Sequence, residues 1–592
     1  MHSAVVGEGQ HKADGIAQHF LDITLLTLLW AYVAVAVIGS LAWPLQEFDE
    51  SIPLVHGVLV QQGRIPNLDF PSFYPPLGLY LNAGMFSLLG RTVIASRAIG
   101  VILYVLVVFL TYRLFRSRFL HSRSLVLAAV LLVAASMGSA VNLAMWPGFA
   151  LSVVALLTYL CSHFQVRHVR WLIGISGILT GLALLYRVNF GAYVAAVIVG
   201  DLLLKWYCNG RRLRSTALDL SAYLGPLIVC DVGLCLLIYG NNIAAGVYEF
   251  TVNTQKIMLL RCFVNLEYDT ELACAILLPL AWFAFRMVLG KEDLSAKALI
   301  PLAFAFALFG VALAGRTYPG IGMILVAMQI ASVLFVHLFV YRLERLELSF
   351  VLFFCCLVHY YLSRADLPHW RVLPIMGSML LAFLMLSRSE KKESSVSVSK
   401  GTALAVFLSA FCLLMLTAGF RPIGVHVRNG AKMIANLAVH PRLSDTDRMA
   451  GSSPLGGGWA SVYSNGDELE ALRYVRTITS RADPIFVGVK DHSRAFINDL
   501  RFYWLADRPI GSRVIQLEPK VASEAPVQRD IISDLEGNGV KCLIIDHESY
   551  PGDETFLKSG YVGSTLLDEY ISSHFREEAR FGRFAILTRG KG

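Results

Sequence analysis

Three carboxylates, Glu47, Asp49 and Glu50, fall within four residues, just after a charge-free run from Ile23 to Trp43. Charge at the edge of hydrocarbon is costly and points to function, and a carboxylate placed against a hydroxyl can take its proton. The competing reading is a solvated loop that is merely acidic. Cationic residues recur in three further short segments. Tyr186-Arg187-Val188-Asn189-Phe190 and Gly315-Arg316-Thr317-Tyr318-Pro319-Gly320 are tight turns, and Ser363 to Arg371 holds Arg364, Asp366, His369 and Arg371. The planar guanidinium fork suits phosphate through paired, charge-assisted hydrogen bonds. Singly, each arginine reads as an interfacial anchor. Together, facing a carboxylate-rich loop, they describe an anion site beside an acid/base site.

The elements that would position these residues are membrane spans. The chain is 56% hydrophobic and 16% charged, where soluble domains carry about a quarter charged residues. Ile23–Trp43 is 21 residues, and about 20 suffice to cross a bilayer. With no small-residue cleavage site and more apolar runs behind it, it reads as an uncleaved first helix. About thirteen spans are expected, at 21–43, 93–112, 124–141, 146–161, 171–186, 190–204, 217–239, 271–288, 298–314, 319–340, 347–362, 372–387 and 402–419. Segment 76–90 is apolar but short, and suits an interfacial or half-buried helix.

Alternate loops then separate by charge. One set, beginning with Arg113, Arg116, Arg118 and Arg123, holds nineteen Lys and Arg; the other holds nine. The richer set faces the cytoplasm. This places the N-terminus inside, and puts the first loop (44–96), the arginine turns and the C-terminal region outside. The net charge of +8 arises before residue 421, since the remainder holds 22 basic and 22 acidic residues. A nucleic-acid surface is therefore not expected; basic inner loops account for the excess. Most cysteines lie in apolar runs as small hydrophobes, and no CxxC pair occurs.

Phe48-Asp49-Glu50 after the first span, then Asp69, then Pro75-Pro76-Leu77-Gly78, resembles the first-loop pattern of the GT-C glycosyltransferases. The similar branch holds the dolichyl-phosphate-mannose protein mannosyltransferases and the aminoarabinose lipid A transferases. Tyr74 stands where the eukaryotic mannosyltransferases have His, so the likeness is to the broad branch. It covers residues 20 to about 115 at motif level. The resemblance implies a polyprenyl-phosphate sugar as donor, an acceptor met on the outer face, and Asp49 as general base with Glu50 beside it. Mannose, arabinose, aminoarabinose and galacturonic acid donors all suit it, as do lipid, glycan and protein acceptors.

The residues agree with that chemistry. An inverting displacement needs one carboxylate on the acceptor side and cations at the leaving phosphate. Glu50 has three open roles: orienting Asp49, binding acceptor, or holding a divalent cation. Arg187, Arg316, Arg364 and His369 are the phosphate candidates by loop placement; Asp366 pairs with one of them. Asp69, Tyr74 and Tyr318 would shape the substrate pocket. No His/Asp/Glu cluster has metal-ligand spacing, so an obligatory metal is not expected. Asn241 to Glu271 is long enough for a lid or a surface helix.

The fold class expected is thus a polytopic α-helical membrane protein, with a spanning catalytic domain (1–420) and a C-terminal soluble α/β domain (421–592). In the latter, helices are expected over 467–479, 528–536 and 566–575 and strands over 484–489, 542–546 and 584–587. Gly456-Gly457-Gly458 lacks the Lys-Ser/Thr of a phosphate loop and reads as a linker. The outer domain is similar to the periplasmic tails of bacterial relatives, so a bacterial inner membrane is the expected setting. The rival reading is a transporter or flippase. It would place ionisable groups in mid-span and repeat a helix break in two halves, whereas here polar residues gather at outer helix ends.

Overall fold

The computed structural model describes residues 2–41, 45, 49–119, 123–138, 145–164, 169–208, 213–252, 349–354, 356–357, 360, 372–390, 403–409, 466–494, 498–518, 521–548 and 562–590. Two bodies of structure meet. The first is a helical bundle: α1 (His2–Leu41), α4 (Val93–Arg118), α5 (Arg123–Met137), α6 (Trp146–Ser162), α7 (Val169–Tyr186), α8 (Val188–Cys208), α9 (Leu213–Tyr239) and α10 (Val372–Glu390). Two short helices, α2 (Ser51–Gln61) and α3 (Pro76–Leu89), stand between α1 and α4. Five described helices are long and apolar enough to cross a membrane: Ile16–Leu41, Val93–Arg118, Val169–Tyr186, Val188–Trp206 and Arg214–Val252. The expected spans 271–288, 298–314 and 319–340 lie outside the described residues.

Inside a bilayer helices gain little from hydrophobicity and associate through close packing. Gly177 of α7 shows this: a Cβ there would lie 2.2 Å from the carbonyl oxygen of Tyr223 on α9. The two backbones therefore touch where only glycine fits, and Tyr223 donates to Thr180 Oγ1 at 2.9 Å one turn on. At the end of the bundle away from α2, charges are paired. Asp219 holds Lys205 at 2.9 Å and Arg170 at 3.3 Å, and buried Asp201 takes the Tyr159 hydroxyl with His163 3.7 Å away.

The helix α3 begins where the sequence says it must. Pro76 at its first position has no N–H to leave unsatisfied. The connection before it is fastened by its own side chains. Asn67, at φ +61°, accepts from the Ser72 amide, and Asp69 accepts from the Ile65 amide at 2.7 Å. The helix α4 starts at Thr92, whose hydroxyl accepts from the Ala95 amide.

The second body follows α11 (Gly466–Ile478) and carries β1 (Ile485–Val489), α12 (Arg501–Ala506), α13 (Ala525–Gly537), β2 (Cys542–Asp546), α14 (Leu566–His574), β3 (Phe575–Phe581) and β4 (Phe584–Arg589). The sheet order is β1-β2-β4-β3, with β1 parallel to β2 and the other pairs antiparallel. All six expected elements are present, and the α/β character holds. Two were not expected: α12, and the edge strand β3, whose charged residues face solvent as edge strands commonly do. A buried charge chain ties α11 and α12 to the sheet: Arg501 pairs with Glu468 and Asp499, and Arg583 with Asp499 and Asp546. Cys542 is a buried free thiol.

The bodies are joined by one apolar core. Ile52, Val55 and Leu59 of α2 and Phe86 of α3 are buried together with Leu472, Phe502 and Trp504 of the C-terminal domain. The Phe86 and Trp504 rings pack in a tilted arrangement, with centroids 5.4 Å apart. Each such side chain, fully buried, contributes about 1.5–3 kcal/mol, so the first loop and the soluble domain support one another.

His56 of α2 is fully buried against Phe70, and neither ring nitrogen finds a partner among the described residues. Burial pushes its pKa from 6.5 down to about 3. A group depressed in the fold stabilises nothing by protonating: the unfolded chain takes up the proton first. Stability therefore falls as pH drops from 6.5 toward 3, by at most about 1.4 kcal/mol per pH unit. Denaturant unfolding between pH 7 and 5 should show this loss in the wild type and a smaller one in His56→Leu. Equal pH slopes would refute it.

Candidate functional site

The end of α1, the start of α2 and the first turn of α4 converge on one ion pair. Glu50, immediately before α2, receives Arg97 Nε at 2.6 Å and Arg97 Nη2 at 2.9 Å. Arg97 Nη1 also donates to the Leu41 carbonyl at 2.9 Å. Both residues are 5% exposed. This two-pronged geometry is what a buried pair needs to offset its desolvation.

Asp49, the neighbour of Glu50, remains half-buried at the rim of this knot. It is one of the groups acting on Arg187, which sits at the junction of α7 and α8. Burial works against the Arg187 charge, but Tyr360, Tyr74, Asp49 and Tyr186 outweigh it and raise the guanidinium above its ordinary value. Tyr74 presents its ring face to Arg187 at 5.5 Å, within cation–π range. Tyr74 and Arg187, distant in sequence, are thus in contact, and Asp49 lies within electrostatic reach of the guanidinium.

The Pro-Pro-Leu-Gly segment explains how. Gly78 lies against the Tyr186 ring, and a Cβ there would stand 3.1 Å from Tyr186 Cζ. A Cβ at Gly148, near the start of α6, would fall 2.9 Å from Arg187 Cβ. Two glycines therefore let α3 and α6 close on the Tyr186-Arg187 turn. Trp146 holds the same end of α6 to α4 by donating to the Gly100 carbonyl at 2.9 Å.

The other sequence candidates divide. Asp69 is exposed and its carboxylate is engaged in the loop turn. Arg316, Tyr318, Arg364 and His369 lie outside the described residues. Among the described residues no three His, Cys, Asp or Glu side chains group as a metal site. Two residues of the site were not singled out from sequence. Arg97 carried a signal, as an ionisable residue one turn inside an apolar helix. Tyr360, buried with its ring tilted against Phe190 at 4.6 Å, carried none, since an aromatic in an apolar run reads as core.

Comparison with known proteins bears on this arrangement. Residues 74–234 match the family model described as dolichyl-phosphate-mannose-protein mannosyltransferase. The match begins at Tyr74 and runs through α3 to most of α9, beyond the stretch where motifs were legible. The chain is similar in fold to ArnT from Cupriavidus metallidurans bound to undecaprenyl phosphate, with TM-score 0.50 and 14% identity over 96% of this chain and 98% of that one. The apo state of the same protein gives TM-score 0.51 at 14% identity, over 95% and 97%. An apo oligosaccharyltransferase from Archaeoglobus fulgidus matches at TM-score 0.45 and 13% identity, over 88% of this chain and 69% of that one. No curated relative matches the chain. The resemblance to GT-C glycosyltransferases is borne out, and the fold is that of the GT-C membrane enzymes, completed by a small C-terminal sheet.

Removing one partner of the Glu50–Arg97 pair should leave a buried charge uncompensated and cost about 3–5 kcal/mol. Glu50→Gln and Arg97→Met are each expected to lower the unfolding midpoint in detergent sharply. Their combination should cost clearly less than the sum. Strict additivity would mean the pair is not coupled.

Proposed function

We propose that the protein transfers a sugar from a polyprenyl-phosphate donor to an acceptor on the outer face of a membrane, with inversion at the sugar carbon. The observation that carries this reading is the contact of Arg187 with Tyr74 at one end of the bundle, with Asp49 within electrostatic reach of the guanidinium. A base and a phosphate-seeking cation lie there within reach of one another. The match to a mannosyltransferase family model and the fold shared with an enzyme bound to undecaprenyl phosphate support the donor class.

The step balances simply. Asp49 takes the proton of the acceptor hydroxyl as its oxygen forms a bond to the sugar carbon. The bond from that carbon to the phosphate oxygen breaks, and the electron pair leaves on the phosphate. Arg187 stabilises the charge that develops there. One carboxylate on the acceptor side and one cation on the leaving side correspond to a single inverting displacement. Tyr74 holds the guanidinium plane, and Glu50 positions Asp49 through Arg97. Arg316, Arg364 and His369 are retained as further phosphate groups, and Asp69 and Tyr318 as pocket residues.

The membrane setting belongs to the same proposal. The excess of basic residues on alternate loops supports a cytoplasmic N-terminus and a periplasmic C-terminal domain, in a bacterial inner membrane.

Membranes carrying the wild type should move label from one member of a radiolabelled polyprenyl-phosphate sugar panel to an endogenous acceptor. Asp49→Asn should lower transfer about a hundredfold or more. Transfer at wild-type rate by Asp49→Asn would remove Asp49 as base.

A further inference from the structure

The connection from α2 to α3, residues 62–75, is fastened mainly to itself. The Asn67 amide donates to the Phe70 carbonyl at 2.8 Å and the Asp69 amide to the Ile65 carbonyl at 2.9 Å, inside the turn that the Asn67 and Asp69 side chains also close. Gly63, at φ +84° with open space where a Cβ would stand, lets the chain leave α2. Phe70 anchors the connection on α2. It is 2% exposed, and its ring lies tilted against His56 with centroids 5.1 Å apart. Four residues on, Tyr74 presents its ring to Arg187. Whatever holds Phe70 on α2 therefore also helps to hold Tyr74 at the site.

His56 lies in a place fit only for a neutral ring. It is fully buried, and neither ring nitrogen has a partner among the described residues. The elements packed around it bring few ionisable groups. The helix α2 has no other, and α3 has Tyr80 alone. On the connection, Asp69 is exposed and engaged with the Ile65 amide, Tyr74 lies against Arg187, and Arg64 is half-buried. Ahead of α2, Glu50 is paired with Arg97 and Asp49 is at the rim of that pair; at its far end Arg91 donates to Gln61. On α12, Arg501 pairs with Glu468 and Asp499, and Tyr503 accepts from the Val487 amide. None of these shifts His56, whose pKa is lowered by burial alone. An imidazolium there would be a buried cation with no acceptor in reach, which folded proteins do not tolerate.

We propose that His56 is an acid-operated latch on the first outer loop: once protonated it must reach water, Phe70 is released, and the 62–75 connection unfolds locally. The flanking helices stay in place. Ile52, Val55 and Leu59 keep α2 in the core shared with the C-terminal domain, and the Glu50–Arg97 pair fixes its start. Local opening of a segment with few outside contacts is the usual low-energy excursion of a fold. Tyr74 then leaves Arg187, and transfer stops until the pH is restored. This last consequence rests on the transferase reading; the opening itself does not.

The opening has a definite pH dependence. The open form takes up its proton at the ordinary value of 6.5, the closed form only at about 3. The open fraction should therefore rise about thirtyfold from pH 8 to pH 5. Amide hydrogen exchange of the full-length protein in detergent, without donor and corrected for the intrinsic effect of pH on exchange, reads this on peptides spanning 62–75. Wild type should show the rise there and not in α4, while His56→Leu and His56→Phe should be flat, with unfolding midpoints at pH 8 showing that both are folded. In a transfer assay, wild type should lose more activity than His56→Leu between pH 8 and pH 5 and regain it on return. Because exchange is read without donor, a protein that transferred nothing would still show the latch. The same pH slope in wild type and both variants would overturn the proposal, as would a rise shared equally by α4.

Discussion

The structure turns on a buried ion pair. Glu50 and Arg97 are removed from water at a cost of several kcal/mol per ion, and only good geometry repays it. Two hydrogen bonds between guanidinium and carboxylate, and a third from Arg97 to the Leu41 carbonyl, supply that geometry. The reward is positional. Glu50 is thereby fixed at the start of α2, against Arg97 of α4 and the end of α1, with Asp49 as its neighbour. One acidic residue is consumed in the ion pair, and its neighbour remains half-buried beside it.

Steric contacts complete what the ion pair begins. Gly78 and Gly148 admit the Tyr186-Arg187 turn from two sides, and the Tyr74 ring covers the guanidinium. The C-terminal domain supports the arrangement from above, because α2 and α3 bury their apolar faces against Leu472, Phe502 and Trp504. An isolated amphipathic hairpin of two short helices would have no such support. The C-terminal α/β domain is here part of the core that holds the first loop.

Much of this was legible in the sequence. The bundle helices follow from apolar length, the short α3 from Pro76 and its limited run, and the α/β tail from alternating strand and helix patterns. The acid pair was visible, but its division of labour was not: adjacent carboxylates look alike until one finds its partner 47 residues away. Arg187 stood out in a tight turn, whereas nothing in its own segment announces Tyr74 or Tyr360 as neighbours, because such contacts depend on how helices cross. The edge strand β3 escaped because its burial pattern is mostly solvent-facing.

The most direct test of a single site with separate base and phosphate residues is equilibrium binding of a polyprenyl phosphate to Arg187→Gln, set beside the wild type and Asp49→Asn. The account predicts that loss of the Arg187 charge weakens binding about tenfold or more, while loss of the Asp49 charge leaves it intact or slightly stronger. Undiminished binding by Arg187→Gln would contradict the account, for the leaving phosphate would then be held elsewhere and the nearness of Asp49 to Arg187 would have no bearing on transfer.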